Sequence, residues 1–281
     1  MHCHGQSTTQ LTAPERAAAW VAVVPVKPLR AAKTRLRGAV PEAVHPDLVL
    51  AMARDTVAAA LACRAVARVV VICDDPAVCS ELTELGAFCL PDAPAAGLNA
   101  ALAYGAQAAW QPGPARVRAD AQAGRPEPGA RGDRLPEARQ PGIDAAARVG
   151  GGSDSCSDDG SDAAGDVGGR GLGVVALTAD LPAMRPDDLE AALVAAARAG
   201  RRAFVPDLEG TGTVLLAAPA GEALAPQFGP GSAVAHLRSG AIRLDGAWPS
   251  LRRDVDTAAD LDAASRLGLG AHTGQVLCTV A

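Results

Sequence analysis

Short, wholly apolar runs alternate with stretches of helical periodicity along most of this chain, and that alternation limits the folds open to it. Val69 to Cys73 is a continuous run rich in β-branched residues, which is typical of a strand covered on both faces of a sheet. Residues 47–62 instead carry apolar side chains at helical spacing and indicate a helix. Repetition of strand and helix in this order predicts an α/β fold with a mostly parallel sheet and helices on both faces.

Further elements follow from the same two periodicities. Strands are predicted at 20–26, 69–73, 87–90, 173–178, 203–205 and 214–216. Helices are predicted at 47–62, 76–85, 98–109, 186–200, 233–238 and 257–268. Gly200 fits the left-handed cap of the fourth helix, and Thr257 with Asp260 approximates a capping box for the last.

A sharp change of composition follows Trp110. Residues 111–171 contain 13 Gly and 6 Pro, a content at which a non-periodic segment is expected to be disordered. The same stretch has only five large aliphatic side chains, too few to offset the entropy lost on ordering. We therefore predict a disordered insertion at about 111–171 within one domain spanning 18–281, preceded by a flexible tail at 1–17.

Charge and composition exclude several classes of function. A net charge of −5 argues against a nucleic-acid partner, and the absence of any 18-residue apolar run argues against a membrane partner. The first residues lack the order of a signal peptide, so a cytoplasmic protein is expected. The seven cysteines form no C-x-x-C pair, which disfavours a zinc knuckle or a thioredoxin-like motif.

Four cations follow the first predicted strand, namely Lys27, Arg30, Lys33 and Arg35. Ligands of open α/β sheets collect at the carboxyl ends of the strands, so this segment is placed to contact a triphosphate. It matches neither a P-loop nor G-x-G-x-x-G, and a solvated basic loop is the competing interpretation.

Three carboxylates follow two predicted extended segments. Asp180 comes just after the fourth strand, and Asp254 and Asp256 share one face if their segment is extended. A helix cap is a weak explanation for Asp180, because the next helix begins only at Pro186. A favourable interaction with the N-terminus of the following helix would explain an acid at Asp256, but it does not explain Asp254 and Asp256 together. Oxygen ligands are what Mg²⁺ bound to substrate phosphates requires, so a magnesium site is predicted here.

Two Gly-rich segments have the character of anion sites, Gly210 to Thr213 before a strand and Phe228 to Ser232 opening a helix. Free N–H groups and a hydroxyl at a helix N-terminus bind carboxylate or phosphate, although an ordinary turn and an ordinary Ser cap remain alternatives. Asn99, in the segment Gly97 to Asn99, either binds a base edge or a ribose, or caps the helix it opens.

In chain order, these segments resemble the 2-phospho-L-lactate or phosphoenolpyruvate guanylyltransferases of coenzyme F-420 biosynthesis, and the Ala/Arg-rich composition is similar to the actinobacterial branch. The resemblance covers residues 20–267 apart from the insertion, and residues 270–281 match nothing in it. The segments that carry it are Val26-Lys27, Ala32 to Leu36, Gly97 to Asn99, Asp180 to Pro182, Gly210 to Thr213, Phe228 to Ser232 and Asp254 to Thr257.

The resemblance implies a single Rossmann-like nucleotidyltransferase domain that transfers GMP from GTP to phosphoenolpyruvate or 2-phospho-L-lactate and releases pyrophosphate. Implied Mg²⁺ ligands and catalytic residues are Asp180, Asp254 and Asp256. Implied phosphoenolpyruvate-binding residues are Thr213, Gly229 and Ser232. Implied nucleotide-binding residues are Lys27, Lys33, Arg35, Gly97 and Asn99, of which Lys27 and Lys33 are also catalytic. GTP, a small phosphorylated three-carbon acid and the next enzyme of the pathway are the implied partners.

The chemistry agrees with the residues, because a phosphate oxygen is already an anion at neutral pH and needs no strong general base. His45 and His236 are isolated in the sequence, and neither is an evident base. Two other classes remain open. A molybdopterin or sugar-phosphate nucleotidyltransferase would carry a Gly-rich loop after the first strand, and a non-catalytic nucleotide-binding scaffold would not need all three aspartates. The sequence also leaves the choice between the two acceptors open.

Overall fold

The structure, a computed structural model, describes residues 20–27, 29, 33–36, 39–109 and 171–280. The tail predicted at 1–17 lies outside these residues, as do Arg30 and the insertion predicted at 111–171 apart from Gly171. All of the described residues belong to one structural unit.

The described residues contain the predicted strands and helices, with ends shifted by a few residues. The strands are β1 (Trp20–Pro25), β2 (Val66–Ile72), β3 (Phe88–Leu90), β4 (Gly173–Leu177), β5 (Ala203–Pro206), β6 (Thr213–Ala218) and β7 (Ile242–Arg243). The helices are α1 (His45–Ala62), α2 (Pro76–Glu84), α3 (Leu98–Ala108), α4 (Pro186–Ala199), α5 (Ser232–Arg238), α6 (Ala258–Leu267) and α7 (Ala271–Val280). A short 3₁₀ helix, Thr34–Leu36, lies between β1 and α1.

The strands form one sheet in the order β3-β2-β1-β4-β6-β5-β7. β1 pairs in parallel with both β2 and β4, and β2 pairs in parallel with β3, so the carboxyl ends of these four strands share one edge. β6 runs antiparallel to β4 and to β5. Its first residue therefore lies beside the end of β4, where the Thr178 N–H donates to the Val214 carbonyl at 3.1 Å.

Apolar side chains cover both faces of the sheet, which confirms the predicted layers. Successive residues of a strand face opposite sides, and β1 shows this directly. Ala22 and Val24 lie in a core cluster with residues of α1, α2 and α4. Val21 and Val23 lie in a second cluster with residues of α3 and α5. The sheet is thus buried between two helical layers, and its exposed edge at the strand ends remains free for ligands.

Local capping predictions are confirmed where their partners are close in sequence. Gly200 ends α4 with φ 64°, and Thr257 with Asp260 forms a complete capping box for α6.

The last helix, α7, is an element that the sequence patterns do not predict. The buried Asp55 carboxylate accepts hydrogen bonds from the N–H groups of His272 and Thr273 at 3.0 and 2.8 Å. That cap comes from a distant part of the chain, so no local pattern reveals it.

No helix among the described residues is long and apolar enough to span a membrane.

Candidate active site

A cavity of about 640 Å³ opens at the edge of the sheet where β1 and β4 end and β6 begins. The residues that line the cavity include Lys27, Lys33, Arg35, Asp180, Asp207, Thr213, Gly229, Ser232, Asp254 and Asp256. Segments separated by more than 200 residues in sequence thus contribute to one site. Of the implied catalytic and binding residues, all of which the structure describes, only Gly97 and Asn99 do not line this cavity.

The ammonium of Lys33 lies between two of the predicted carboxylates and donates to both Asp180 and Asp256. Burial alone would lower the pKa of Lys33, but the charges and hydrogen bonds of these two carboxylates outweigh it and raise the pKa above its usual value. Lys33 is therefore a fixed cation at the mouth of the sheet, as the triphosphate-binding interpretation requires.

The backbone of Lys33 is held in an unusual conformation. Its φ of 54° lies in the left-handed region, which costs a non-glycine residue on the order of 1–3 kcal/mol. The His45 ring donates from Nε2 to the Lys33 carbonyl at 3.1 Å, since a carbonyl can only accept. His45 is thus not isolated in the fold, and its contact helps to aim the ammonium at the carboxylates.

The segment of Asp254 is joined to the turn of Asp180 by a backbone hydrogen bond from Val255 to the Asp180 carbonyl, 3.0 Å long. Thr56 of α1 supports the same turn by accepting from the Leu181 N–H at 3.0 Å. Asp180 is not a helix cap, because the cap position of α4 is Arg185. Asp256 directly precedes Thr257, the cap of α6, so the interpretation of Asp256 as helix-terminal charge remains open.

Burial, together with the negative charges of Asp180, Asp256 and Asp207 and against the opposing effect of Lys33, raises the pKa of Asp254 from 3.8 to about 7. In addition, Oδ1 of Asp180 is buried without a hydrogen-bond partner. A carboxylate oxygen that lacks both solvent and a donor is costly, and a cation beside it would remove that cost. The local electrostatics therefore fit a site that binds positive charge.

Within the described part of the chain, no three His, Cys, Asp or Glu side chains converge closely enough to hold a metal ion as they stand. The Lys33 ammonium lies between Asp180 and Asp256 instead. The donor set, all carboxylate oxygens, is nevertheless the kind that Mg²⁺ takes. The magnesium site therefore stays a prediction.

The opposite wall of the cavity holds the three residues expected to bind the acceptor. Thr213 begins β6, and Gly229 and Ser232 precede and begin α5. Ser232 is not a cap, because the cap position is Gly231 and it makes no side-chain capping bond. Ser232 is buried, borders the cavity, and has no side-chain hydrogen bond to another described residue. Its hydroxyl is therefore available to a ligand.

Asn99 lies elsewhere than expected. Its side-chain amide donates to the Phe228 carbonyl at 3.0 Å and accepts from the Phe228 N–H at 2.7 Å. The cap position of α3 is Gly97, so the capping interpretation is wrong, whereas the nucleotide contact stays a prediction. With both amide groups engaged, Asn99 holds the loop that leads to Gly229 and Ser232 rather than contacting the cavity.

A smaller adjoining cavity of about 100 Å³ lies at the ends of β1 and β2. Lys27 lines both cavities, and Gly97 lines only this one. Two carboxylates, Asp74 and Asp92, also border it, and Asp74 accepts from the Asp92 N–H at 2.8 Å. The two cavities together follow the strand ends from β2 to β6.

Several known proteins are similar in sequence to this chain along most of its length. The chain is 46% identical over 265 residues to the phosphoenolpyruvate guanylyltransferase of Salinispora arenicola, an alignment that covers 93% of this chain and 94% of that protein. It is 43% identical over 265 residues to the protein of that name from Geodermatophilus obscurus, covering 92% and 94%. The corresponding protein of Streptomyces scabiei is 44% identical over 259 residues, covering 90% and 94%.

The chain belongs to the phosphoenolpyruvate guanylyltransferase family. No family model matches it. A solved structure from Desulfovibrio desulfuricans, named as a nucleotide-diphospho-sugar transferase, superposes with a TM-score of 0.50 at 14% identity, covering 93% of this chain and 95% of that one. At that identity the likeness supports only the α/β fold. The other enzyme classes and the scaffold left open by the sequence find no support among these relatives.

The sequence patterns did not single out Asp207, a cavity-lining acid of this family member. Asp207 lines the cavity and accepts from the N–H groups of Thr211 and Gly212 at 2.9 and 2.7 Å, which shapes the turn before Thr213. A Cβ on Gly212 would collide with the Asp207 carboxylate, so a larger residue there would displace that carboxylate from its two hydrogen bonds. Asp207 directly follows β5, and the rule that selected Asp180, an acid at a strand end, would have found it.

Proposed function

We propose that this enzyme transfers GMP from GTP to the phosphate of phosphoenolpyruvate and releases pyrophosphate. One observation carries the proposal, the order of chemical groups along the sheet edge. Carboxylates that can accept hydrogen bonds from a nucleobase lie near the end of β2, and the cations Lys27 and Lys33 follow β1. The carboxylates of the predicted metal site lie near the end of β4, and hydroxyl groups lie near the start of β6. A nucleotide and an acidic acceptor placed along this edge meet at the cations and the acids.

The reaction exchanges one bond for another at the α-phosphorus. A phosphate oxygen of the acceptor forms a P–O bond there, and the bond to the α–β bridging oxygen breaks, so that pyrophosphate leaves with its electron pair. The attacking oxygen is already an anion, so no proton needs to be removed. Lys27 and Lys33 would offset the charge that develops on the triphosphate, and fixed charges of this kind stabilise transition states strongly.

We further propose that Mg²⁺ is the cofactor, held by Asp180, Asp254 and Asp256. When bound, it would supply charge neutralisation and alignment of the attacking and leaving oxygens. The buried, unpartnered Oδ1 of Asp180 and the raised pKa of Asp254 support this assignment. A cytoplasmic location and a place in coenzyme F-420 biosynthesis complete the proposal.

The deciding experiment is mass spectrometry of the products formed from GTP and each of two acceptors. We expect a guanylylated phosphoenolpyruvate and equimolar pyrophosphate. Faster conversion of 2-phospho-L-lactate than of phosphoenolpyruvate would change the assigned acceptor, and no product with either would refute the guanylyltransferase proposal.

Ser232→Ala is expected to raise the KM for the acid acceptor much more than the KM for GTP. Its free hydroxyl borders the acceptor side of the cavity, and a hydrogen bond to a charged group contributes about 1.5–3 kcal/mol, or roughly 10- to 150-fold in affinity. Steady-state kinetics with each substrate varied in turn measures the two constants. The matched control is Ser265→Ala, on an exposed position of α6. Equal changes in both KM values would contradict an acceptor contact.

GTP is expected to be preferred over ATP, and Asp74→Asn is expected to weaken that preference roughly 10- to 150-fold. The Watson–Crick edge of guanine offers two neighbouring N–H donors that a carboxylate accepts, whereas adenine offers an acceptor at N1. Competition between the two nucleotides measures the preference, with Asp47→Asn, exposed on α1, as the control. Equal rates with GTP and ATP in the unaltered enzyme would exclude a guanine-specific site.

A further inference from the structure

His236 is the most completely enclosed titratable side chain near the cavity. The residue is 0% exposed, and its ring packs between Phe204 and Phe228, with ring centroids 5.7 and 5.3 Å away. Both ring nitrogens have partners. Nδ1 lies 3.0 Å from the Thr213 hydroxyl, and Nε2 lies 2.9 Å from the backbone nitrogen of Gln227.

These two contacts determine where the proton of the ring lies. A backbone N–H can only donate, so Nε2 of His236 accepts from Gln227 and carries no hydrogen. Burial, assisted by the charge of Arg202, lowers the pKa of His236 to about 4, which agrees with a neutral ring at physiological pH. A neutral imidazole has one N–H, and here that hydrogen must be on Nδ1.

The Thr213 hydroxyl is constrained in turn. Its oxygen accepts from Nδ1 of His236, so its own hydrogen cannot point at the ring. Among the described residues, the Thr213 side chain has no other hydrogen-bond partner, and Thr213 lines the large cavity. The hydroxyl is therefore fixed as a donor that faces the ligand space, an arrangement that favours an anionic oxygen.

We propose that His236 is a positioning residue that makes the Thr213 hydroxyl an obligate donor to an anionic group of the acceptor. Through Nε2 it also anchors the loop at Gln227, beside the two hydrogen bonds between Asn99 and Phe228. A single buried ring thus connects both sides of the acceptor wall. This inference rests on the proposed function, because it assumes that the acceptor occupies that wall.

Two substitutions separate the roles of the two ring nitrogens. His236→Gln places an amide near Nε2 and removes the donor to Thr213, whereas His236→Asn places an NH₂ donor near Nδ1. We expect His236→Gln to raise the acceptor KM about tenfold, the effect of losing one oriented hydrogen bond, with the KM for GTP little changed. His236→Asn is expected to restore most of that loss.

Repeating His236→Gln in a Thr213→Val background tests whether the effect passes through the hydroxyl. We expect no additional rise in the acceptor KM there, since no hydroxyl remains to be oriented. An equal rise in both backgrounds would show that His236 only supports the fold, and would overturn the proposal.

The tautomer itself is measured by ¹⁵N NMR of histidine-labelled protein at pH 7. We expect His236 to carry its hydrogen on Nδ1, and an Nε2–H tautomer or an imidazolium would overturn the inference. This measurement requires no turnover. Absence of any product from phosphoenolpyruvate with the unaltered enzyme would refute the proposed function alone, while the NMR result would still decide the state of the ring.

Discussion

Replacing Asp180, Asp254 or Asp256 by Asn should each reduce turnover at least about 100-fold while leaving the fold intact, since the loss of a single transition-state-stabilising group has effects of that size. Each substitution keeps the shape of the side chain and removes one negative charge. The three carboxylates line the cavity near the end of β4 and the Lys33 ammonium. The acceptor and the nucleotide would meet at this point. Pyrophosphate release, measured as a function of Mg²⁺ concentration, follows the reaction directly.

Asp262→Asn is the matched control for this series. Asp262 is an exposed aspartate on α6, a few residues beyond Asp256, and lies outside the cavity. Circular dichroism of all four variants should be indistinguishable from that of the unaltered protein. Normal rates in two of the three cavity variants would remove the basis for a metal at these carboxylates.

Asp254→Asn should also stabilise the protein in the absence of divalent cations. The pKa of Asp254 rises from 3.8 to about 7 in the folded protein, first through burial and then through the neighbouring Asp180. The folded state therefore binds more protons than the unfolded state between pH 4 and pH 7, and the free energy of unfolding falls as the pH rises across that window. At pH 8 the ionised carboxylate costs on the order of 2–4 kcal/mol, which the neutral amide avoids.

Thermal unfolding in EDTA measures this difference. The melting temperature of Asp254→Asn should exceed that of the unaltered protein by roughly 5–10 °C at pH 8. The difference should shrink progressively below pH 7 and be smallest near pH 4. Asp262→Asn, at an exposed position, should show no such dependence. A lower melting temperature for Asp254→Asn at pH 8 would mean that the ionised carboxylate is satisfied by the protein alone. The same substitution would thus abolish activity and raise stability, as expected where charge is assembled to bind a ligand.

Apart from the two-residue β7 and the last helix α7, the order of strands and helices could be predicted from the sequence, as could the covered sheet and the caps of α4 and α6, because each depends on residues near one another along the chain. Apolar runs indicate buried strands whatever their partners are. Gly200 and the pair Thr257 and Asp260 act within one helical turn, and all three behave as expected. The basic segment around Lys27 and the acid Asp180 were identified in the same way, as polar residues that follow strands.

Contacts between distant segments were decided only by the tertiary structure. The antiparallel course of β6 brings Thr213 to the same edge as Asp180, although it precedes its strand rather than following it. In the sequence, His236 has no evident partner, and Asn99 is interpreted as a nucleotide contact or a helix cap. In the fold, both side chains hold the loop at residues 227–228. Local propensity carries no information about such pairings. They form because burial in the folded chain leaves each polar group only a few partners, and an unpaired one would be costly.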